Sequence, residues 1–185
     1  MRKVIFSINL SADGCCDHTK MVGSEDIHEY FAELISGADL LVYGRITYQL
    51  MVPYWPEIAK NKSGQTKWAN DFAQAFDSVD KLVFSHSLEK VEDKRSTLAR
   101  GELRDEILTL KQQPGKNILV GGVELSSRLI EFGLVDEFIF VVQPIVVGAG
   151  RRLFDGAKLP EKLKLELVDT TVLKSGCVAL RYLKK

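Results

Sequence analysis

The sequence predicts an α/β protein built on one mixed sheet, parallel through its centre and antiparallel at one edge. Three observations carry this. As far as Ile130, short β-rich apolar runs alternate with stretches of helical period. From Phe138 onward, strand-like runs follow one another with no helix between them. Several of the helical stretches also open directly behind a strand that ends in glycine. Alternation of this kind makes parallel βαβ units, and directly joined strands make antiparallel pairs.

Taken in order, Val4 to Leu10 is an apolar run of strand character closed by the turn signal Ser11-Ala12-Asp13-Gly14. Ile27, Tyr30, Phe31, Leu34 and Ile35 then form one stripe of an amphipathic helix. Ser24 stands where an N-cap belongs, Glu25 and Asp26 suit the positive end of the helix dipole, and Gly37 can end it. Leu40-Leu41-Val42-Tyr43 is a short buried strand that runs into a helix start at Gly44-Arg45-Ile46-Thr47-Tyr48. Pro53-Tyr54-Trp55-Pro56 breaks that helix into an aromatic loop, and Trp68, Phe72, Ala75 and Phe76 mark the next stripe. Leu82-Val83-Phe84-Ser85 reads as a strand, Arg95 to Ala99 as a weaker one, and Leu103, Ile107 and Leu110 as a helix stopped by Pro114-Gly115. Ile118-Leu119-Val120 is a strand that passes through Gly121-Gly122 into a helix bearing Leu125, Leu129 and Ile130, with Gly133 behind it. Phe138 to Val142 is a further strand. Leu163 to Leu173 and Cys177 to Leu183 make a terminal hairpin about Lys174-Ser175-Gly176.

Composition narrows the class. A chain of 185 residues suits one domain, 1–185, and its 45% hydrophobic and 27% charged residues fall at the averages for globular proteins, not for disordered or fibrous chains. Lys and Arg (25) balance Asp and Glu (25), so no nucleic-acid partner is expected. No apolar run reaches the roughly 18 residues of a membrane helix, and the run after Met1-Arg2-Lys3 is too short for a signal peptide. With an odd count of three cysteines, the expectation is a cytoplasmic protein.

The chemistry concentrates at two glycine-marked turns from strand to helix, Tyr43-Gly44-Arg45-Ile46-Thr47 and Val120-Gly121-Gly122-Val123-Glu124. A helix start offers free backbone N–H groups and a positive dipole end, and glycine lets an anion approach the backbone. Either turn could equally be a tight connection with no ligand. Ser85-His86-Ser87 adds hydroxyl and imidazole groups behind a third strand, and Arg45 suits an additional phosphate. A dinucleotide carrying a phosphate on its adenosine ribose would use all three places, which favours NADP over NAD. Asp13 ends the first strand, where a half-buried carboxylate of raised pKa could supply a proton, or where Asp-Gly could be an ordinary turn. Tyr54 and Trp55 could cover a flat ring or plug the rim of the core. Gly148-Ala149-Gly150-Arg151-Arg152-Leu153 imitates a dinucleotide fingerprint, but Leu153 replaces its third glycine and no helix follows. Cys15-Cys16-Asp17-His18 lacks the second pair that a zinc site needs, so no metal is expected.

In order, Ser11-Ala12-Asp13-Gly14, Leu41 to Tyr48, Lys81-Leu82-Val83-Phe84-Ser85, Val120-Gly121-Gly122, Gly133-Leu134-Val135-Asp136-Glu137 and Pro144 to Gly150 resemble the dihydrofolate reductase-like superfamily. The nearer branch is the C-terminal reductase domain of the riboflavin-biosynthesis enzymes and its stand-alone relatives. The resemblance runs from Lys3 to about Leu183. It implies a three-layer α/β/α fold, NADPH as hydride donor, and reduction of a nitrogen heterocycle or its ribosylamino derivative, as in 5-amino-6-(5-phosphoribosylamino)uracil reduction. By position, Gly44, Arg45, Ile46 and Thr47 would hold the adenosine-side phosphates, and Ser85, His86 and Ser87 the adenosine end. Gly121, Gly122, Val123 and Glu124 would wrap the pyrophosphate, while Ser11 and Ala12 would face the nicotinamide. Asp13 matches the acid of the branch's Ser-x-Asp-Gly motif and would orient the substrate or supply the proton, with Phe31, Tyr54 and Trp55 beside the substrate. The resemblance also implies a homodimer acting on a small molecule. Folate reductases place an acid four residues before the aromatic of the first helix, and here Ile27 stands there. A Pro-Cys-x-x-Cys deaminase motif is absent. The alternatives are a non-catalytic nucleotide-binding dimer and a folate or pterin reductase.

Overall fold

The computed structural model describes residues 1–64, 66–155 and 162–185. Among the described residues, eight strands form a single sheet: β1 (Val4–Ser11), β2 (Ala38–Gly44), β3 (Asp80–Phe84), β4 (Ser96–Leu98), β5 (Asn117–Gly121), β6 (Glu137–Gln143), β7 (Leu165–Val172) and β8 (Val178–Lys184). Their order across the sheet is β4-β3-β2-β5-β1-β6-β8-β7. The first six run parallel, and β8 and β7 close one edge as an antiparallel hairpin. The mixed sheet expected from the sequence is the one observed.

The helices are α1 (Glu25–Ser36), α2 (Arg45–Met51), α3 (Trp55–Asn61), α4 (Lys67–Ser78), α5 (Leu103–Gln112) and α6 (Val123–Glu131). Alternation within the central strands sorts the core into two halves, because successive side chains leave opposite faces. Ile5, Leu41, Val83 and Ile139 point to one face, where Ile35 of α1 and Phe72 and Phe76 of α4 cover them. Val4, Phe6, Val42 and Phe138 point to the other, beneath Ile107 of α5 and Leu129 of α6. Both faces of the parallel strands are therefore dry, giving the three layers α/β/α.

Two local readings differ from the sequence expectation. The segment at Pro53–Pro56 is not an open aromatic loop. Residues 52–54 turn, and Trp55-Pro56 starts α3, because proline is tolerated in a helix's first turn, where its missing N–H has no partner to lose. Ser24 occupies the N-cap of α1, but its hydroxyl donates to Asp26 and caps no backbone amide.

Ion pairs close the edge at which the parallel strands begin. Arg2 pairs with Asp39, and Lys111 with Asp136, whose carboxylate also accepts the Val4 amide at 2.8 Å. Glu137, 0% exposed at the start of β6, accepts from Arg181 Nε at 2.6 Å, with Lys3 Nζ at 3.7 Å. Across the sheet's α1 face, His28 lies 5.6 Å from the rings of both Trp55 and Phe72. Burial pushes its pKa below the ordinary histidine value. The unfolded chain then binds the proton more readily than the folded one, so stability is full above about pH 6.5 and falls as pH drops toward the folded-state pKa. His28→Phe should flatten that acid-side decline in urea unfolding between about pH 7 and 5, while wild type loses stability across the same window.

Candidate active site

Parallel strands all finish on one side of a sheet, so their strand-to-helix turns gather on one rim. β2 ends at Gly44 and α2 begins at Arg45, with no side chain capping the first amides. β5 ends at Gly121, and Gly122 caps α6 with φ +86° and ψ 158°, a conformation essentially reserved for glycine. Here too no side chain occupies the helix's first N–H groups. A Cβ on Gly122 would run into the Thr47 hydroxyl, and one on Gly121 would sit 2.7 Å from the Tyr43 ring. The two glycines thus let the β2–α2 and β5–α6 turns close on each other.

Behind β3, the Ser85 hydroxyl oxygen accepts from the amides of Ser87 (3.1 Å) and Leu88 (3.0 Å), which shapes the loop. All three turns open into one cavity of about 430 Å³. Gly44, Arg45, Ile46 and Thr47 line it, as do Ser85, His86 and Ser87, and Gly121, Gly122, Val123 and Glu124. Eleven of the residues named from sequence as cofactor-binding are thereby brought together. Ser11 and Ala12 are not among the lining residues.

The sequence reading missed part of the wall. Phe84, Leu125 and the stretch Ala99 to Leu103, together with Arg128 and Arg151, complete it. Four arginines (Arg45, Arg100, Arg128, Arg151) face two glutamates (Glu102, Glu124), an excess of positive charge in a chain that is neutral overall. Only Arg45 was recognisable, because it follows a strand-end glycine. Arg151 directly follows the Gly148–Gly150 segment, which forms no helix. There Cys16 N donates to Arg151 O at 2.8 Å, and Cys15 bridges Arg152.

Asp13 departs from expectation. Its carboxylate accepts from the Ser11 hydroxyl at 2.6 Å and from the amides of Val147 and Gly148 at 3.1 and 2.9 Å. Arg152 Nη2 lies 3.6 Å away, and the same guanidinium donates to the Asp13 carbonyl. These hydrogen bonds, Ser11's first, hold the carboxyl well below the usual carboxylate range. The raised pKa expected from sequence is overturned: although only 22% of the side chain is exposed, Asp13 is a fixed anion that ties the loop after β1 to residues 147–152.

Phe31, Tyr54 and Trp55 do not line the cavity. Phe31 meets Tyr30 edge to face at 5.9 Å on α1. Trp55 lies 4.5 Å from Phe72 and so plugs the core rim, with Tyr54, 58% exposed, at its side. Cys15 and Cys16 direct their sulfurs to the carbonyls of Ala149 and Arg151.

An α/β/α sandwich of this strand order, with a glycine-walled basic cavity at the carboxyl rim, defines a dihydrofolate reductase-like fold. Residues 2–179 match the family model of the RibD C-terminal domain, and the chain belongs to that family. YyaP of Bacillus subtilis, described as an uncharacterized protein, is 32% identical over 82% of this chain and 77% of its own. Among solved structures, a putative riboflavin biosynthesis protein from Shewanella superposes with TM-score 0.72 at 20% identity, covering 99% of both chains. A diaminohydroxyphosphoribosylaminopyrimidine deaminase/5-amino-6-(5-phosphoribosylamino)uracil reductase from Thermotoga maritima gives TM-score 0.69 at 16% identity, over the whole of this chain and 57% of that one. Dihydrofolate reductase from Enterococcus faecalis, in complex with NADP(H), gives 0.65 at 14%, over 99% and 96%.

The closure of the two turns makes a measurable demand. Gly122→Ala should cost about 1–3 kcal/mol in urea unfolding from backbone strain, plus the clash with Thr47. Adding Thr47→Ala should return only the clash. Full recovery in the double variant would show that the backbone at residue 122 is unstrained.

Proposed function

We propose that the protein is an NADPH-dependent oxidoreductase that reduces a nitrogen heterocycle or its ribosylamino derivative, acting in the cytoplasm as a homodimer. The observation that carries this reading is the single basic cavity into which three strand-to-helix turns open. Its residues fit a phosphorylated dinucleotide: uncapped amides at the start of α6, glycines at the ends of β2 and β5, and arginines in excess of carboxylates. The likeness to the Thermotoga reductase and to the NADP(H)-bound folate reductase supports the same reading.

When bound, the cofactor supplies the hydride, and the protein positions two flat partners. Positioning is the larger contribution, since oriented reactants can lower a barrier by about 7–11 kcal/mol. Arg45 and Thr47 hold the adenosine-side phosphates, Ser85, His86 and Ser87 the adenosine end, and Gly121 to Glu124 the pyrophosphate. Asp13 orients rather than protonates, by fixing the loop that leaves β1 toward residues 147–152. Folate reduction is disfavoured because Ile27, 5% exposed in the core, stands where that chemistry places an acid. The homodimer reading draws on the edge strand β7, which exposes Leu167, Val168 and Val172. Sedimentation should return twice the chain mass.

Titration with NADPH and NADH, followed by the fluorescence of Trp55 and Trp68, tests the assignment. NADPH should bind tightly and NADH more weakly. Arg45→Ala should weaken NADPH by roughly 10- to 100-fold, the worth of a charge-assisted contact, and NADH little. Equal losses would remove the phosphate from Arg45, and failure of both cofactors to bind would end the reading.

A further inference from the structure

All three cysteines are free thiols, and two of them, Cys15 and Cys16, are adjacent in the loop that leaves β1. Cys15 is 1% exposed and Cys16 half-buried. In an extended chain neighbouring side chains leave opposite sides, yet both sulfurs here turn to one neighbouring segment. Cys15 Sγ lies 3.9 Å from the Ala149 carbonyl oxygen, and Cys16 Sγ 3.3 Å from that of Arg151. Gly150, between those two residues, makes room, since a Cβ there would stand 2.8 Å from the Cys15 sulfur. Burial pushes the Cys16 thiol up and the Arg151 guanidinium partly opposes it, so a charge that lines the basic cavity is felt at this sulfur.

The peptide unit between the two cysteines is fully engaged. Its carbonyl, Cys15 O, accepts from Ser11 N at 2.9 Å, and its N–H, on Cys16, donates to Arg151 O at 2.8 Å. The second bond adjoins the antiparallel bridge in which Cys15 faces Arg152. It thereby holds the residue that brings a guanidinium to the cavity wall.

A disulfide between adjacent residues closes an eight-membered ring that contains this peptide unit. Neighbouring Cα atoms are about 3.8 Å apart, short of the roughly 4.4–6.8 Å that a relaxed disulfide spans. The ring therefore forms only if the peptide unit turns, and turning it breaks both of its hydrogen bonds. A disulfide strained in this way is readily reduced again, which makes it a switch and not a staple.

We propose that Cys15 and Cys16 form a reversible thiol–disulfide switch, oxidised by hydrogen peroxide, whose closure releases Arg151 from the wall of the basic cavity. Cys16, the more exposed, attacks one peroxide oxygen. The O–O bond breaks, leaving a Cys16 sulfenic acid and a water that carries the thiol's proton. The Cys15 sulfur then attacks the Cys16 sulfur, the S–O bond breaks, and a second water leaves. The two sulfurs lose two electrons, and the peroxide gains them. Disulfide formation is independent of the cofactor; its effect on cofactor binding rests on the reductase reading above.

The test treats the full chain with peroxide, alkylates it and cuts it with trypsin, which leaves both cysteines on residues 4–20 and Cys177 on 175–181. The 4–20 peptide should be unalkylated and lighter by two hydrogens, and dithiothreitol should restore both thiols. Hydrogen exchange followed by NMR should find the Cys16 amide protected in the reduced protein and open in the oxidised one. NADP⁺, followed by tryptophan fluorescence, should bind the oxidised protein about tenfold more weakly, the worth of one charged contact. By reciprocity, saturating NADP⁺ should raise the pair's midpoint potential by about 30 mV. Cys15→Ser and Cys16→Ser should each bind NADP⁺ within about twofold of reduced wild type, before and after peroxide. Alkylatable thiols after peroxide, a sulfinic acid in place of the disulfide, or a bond to Cys177 would overturn the proposal. So would unchanged exchange of the Cys16 amide, or NADP⁺ affinity unmoved by oxidation. If the reduced protein binds no NADP⁺, the reductase reading falls, while the mass and exchange measurements still decide the switch.

Discussion

The direction shared by six strands governs the placement of everything functional in this molecule. Because β1 to β6 run parallel, each must hand its chain to a crossover on the same rim, and the amides freed at each handover face one region. Strand order decides where on that rim they meet. The chain moves outward from β1 through β2, β3 and β4, and then returns to insert β5 between β2 and β1. That reversal sets the Gly121-Gly122 turn beside the Gly44 turn, close enough that neither Gly121 nor Gly122 admits a Cβ. The same shape serves packing and leaves the first amides of α6 uncovered.

Charge divides along the same axis. Where the parallel strands begin, basic and acidic side chains answer each other: Arg2 with Asp39, Lys111 with Asp136, Arg181 and Lys3 with Glu137. Pairs of this kind hold buried charges that would otherwise be costly. At the carboxyl rim the arginines outnumber the carboxylates that share their cavity, although the whole chain carries no net charge. Neutrality of composition thus conceals a polar arrangement, with one end closed by its own pairs and the other left to attract an anion.

Much of this was readable from the sequence, because the signals were local. Period two and period 3.6 mark the strands and helices, and glycine at a strand end marks a rim turn whatever the tertiary structure. The turns at Gly44, Ser85 and Gly121 were therefore found, along with their convergence. What escaped was contributed from a distance. Arg100 and Arg128 carry no strand-end glycine to mark them, and Arg151 enters the wall from a segment whose sequence only imitates a phosphate loop. The state of Asp13 escaped for the same reason: two of the hydrogen bonds that fix its charge come from amides 134 and 135 residues away. Trp55-Pro56 misled differently, since proline both ends and begins helices, and only the turn before it decides which.

The ionised Asp13 changes how the site must work. A carboxylate already satisfied by a hydroxyl, two amides and a guanidinium resists protonation, because each of those bonds favours the charged form. Its contribution is mechanical and electrostatic: it joins the exit of β1 to the segment following β6, while Ala12 N donates to Ile145 O at 2.8 Å and Cys16 N to Arg151 O. Those bonds tie the end of β1 to the segment that carries Arg151 into the cavity wall. Whatever ligand the rim takes would meet two loops whose relative position is set by that anion. A carboxylate that stays ionised keeps that link intact across the ordinary pH range, which a group titrating there would not.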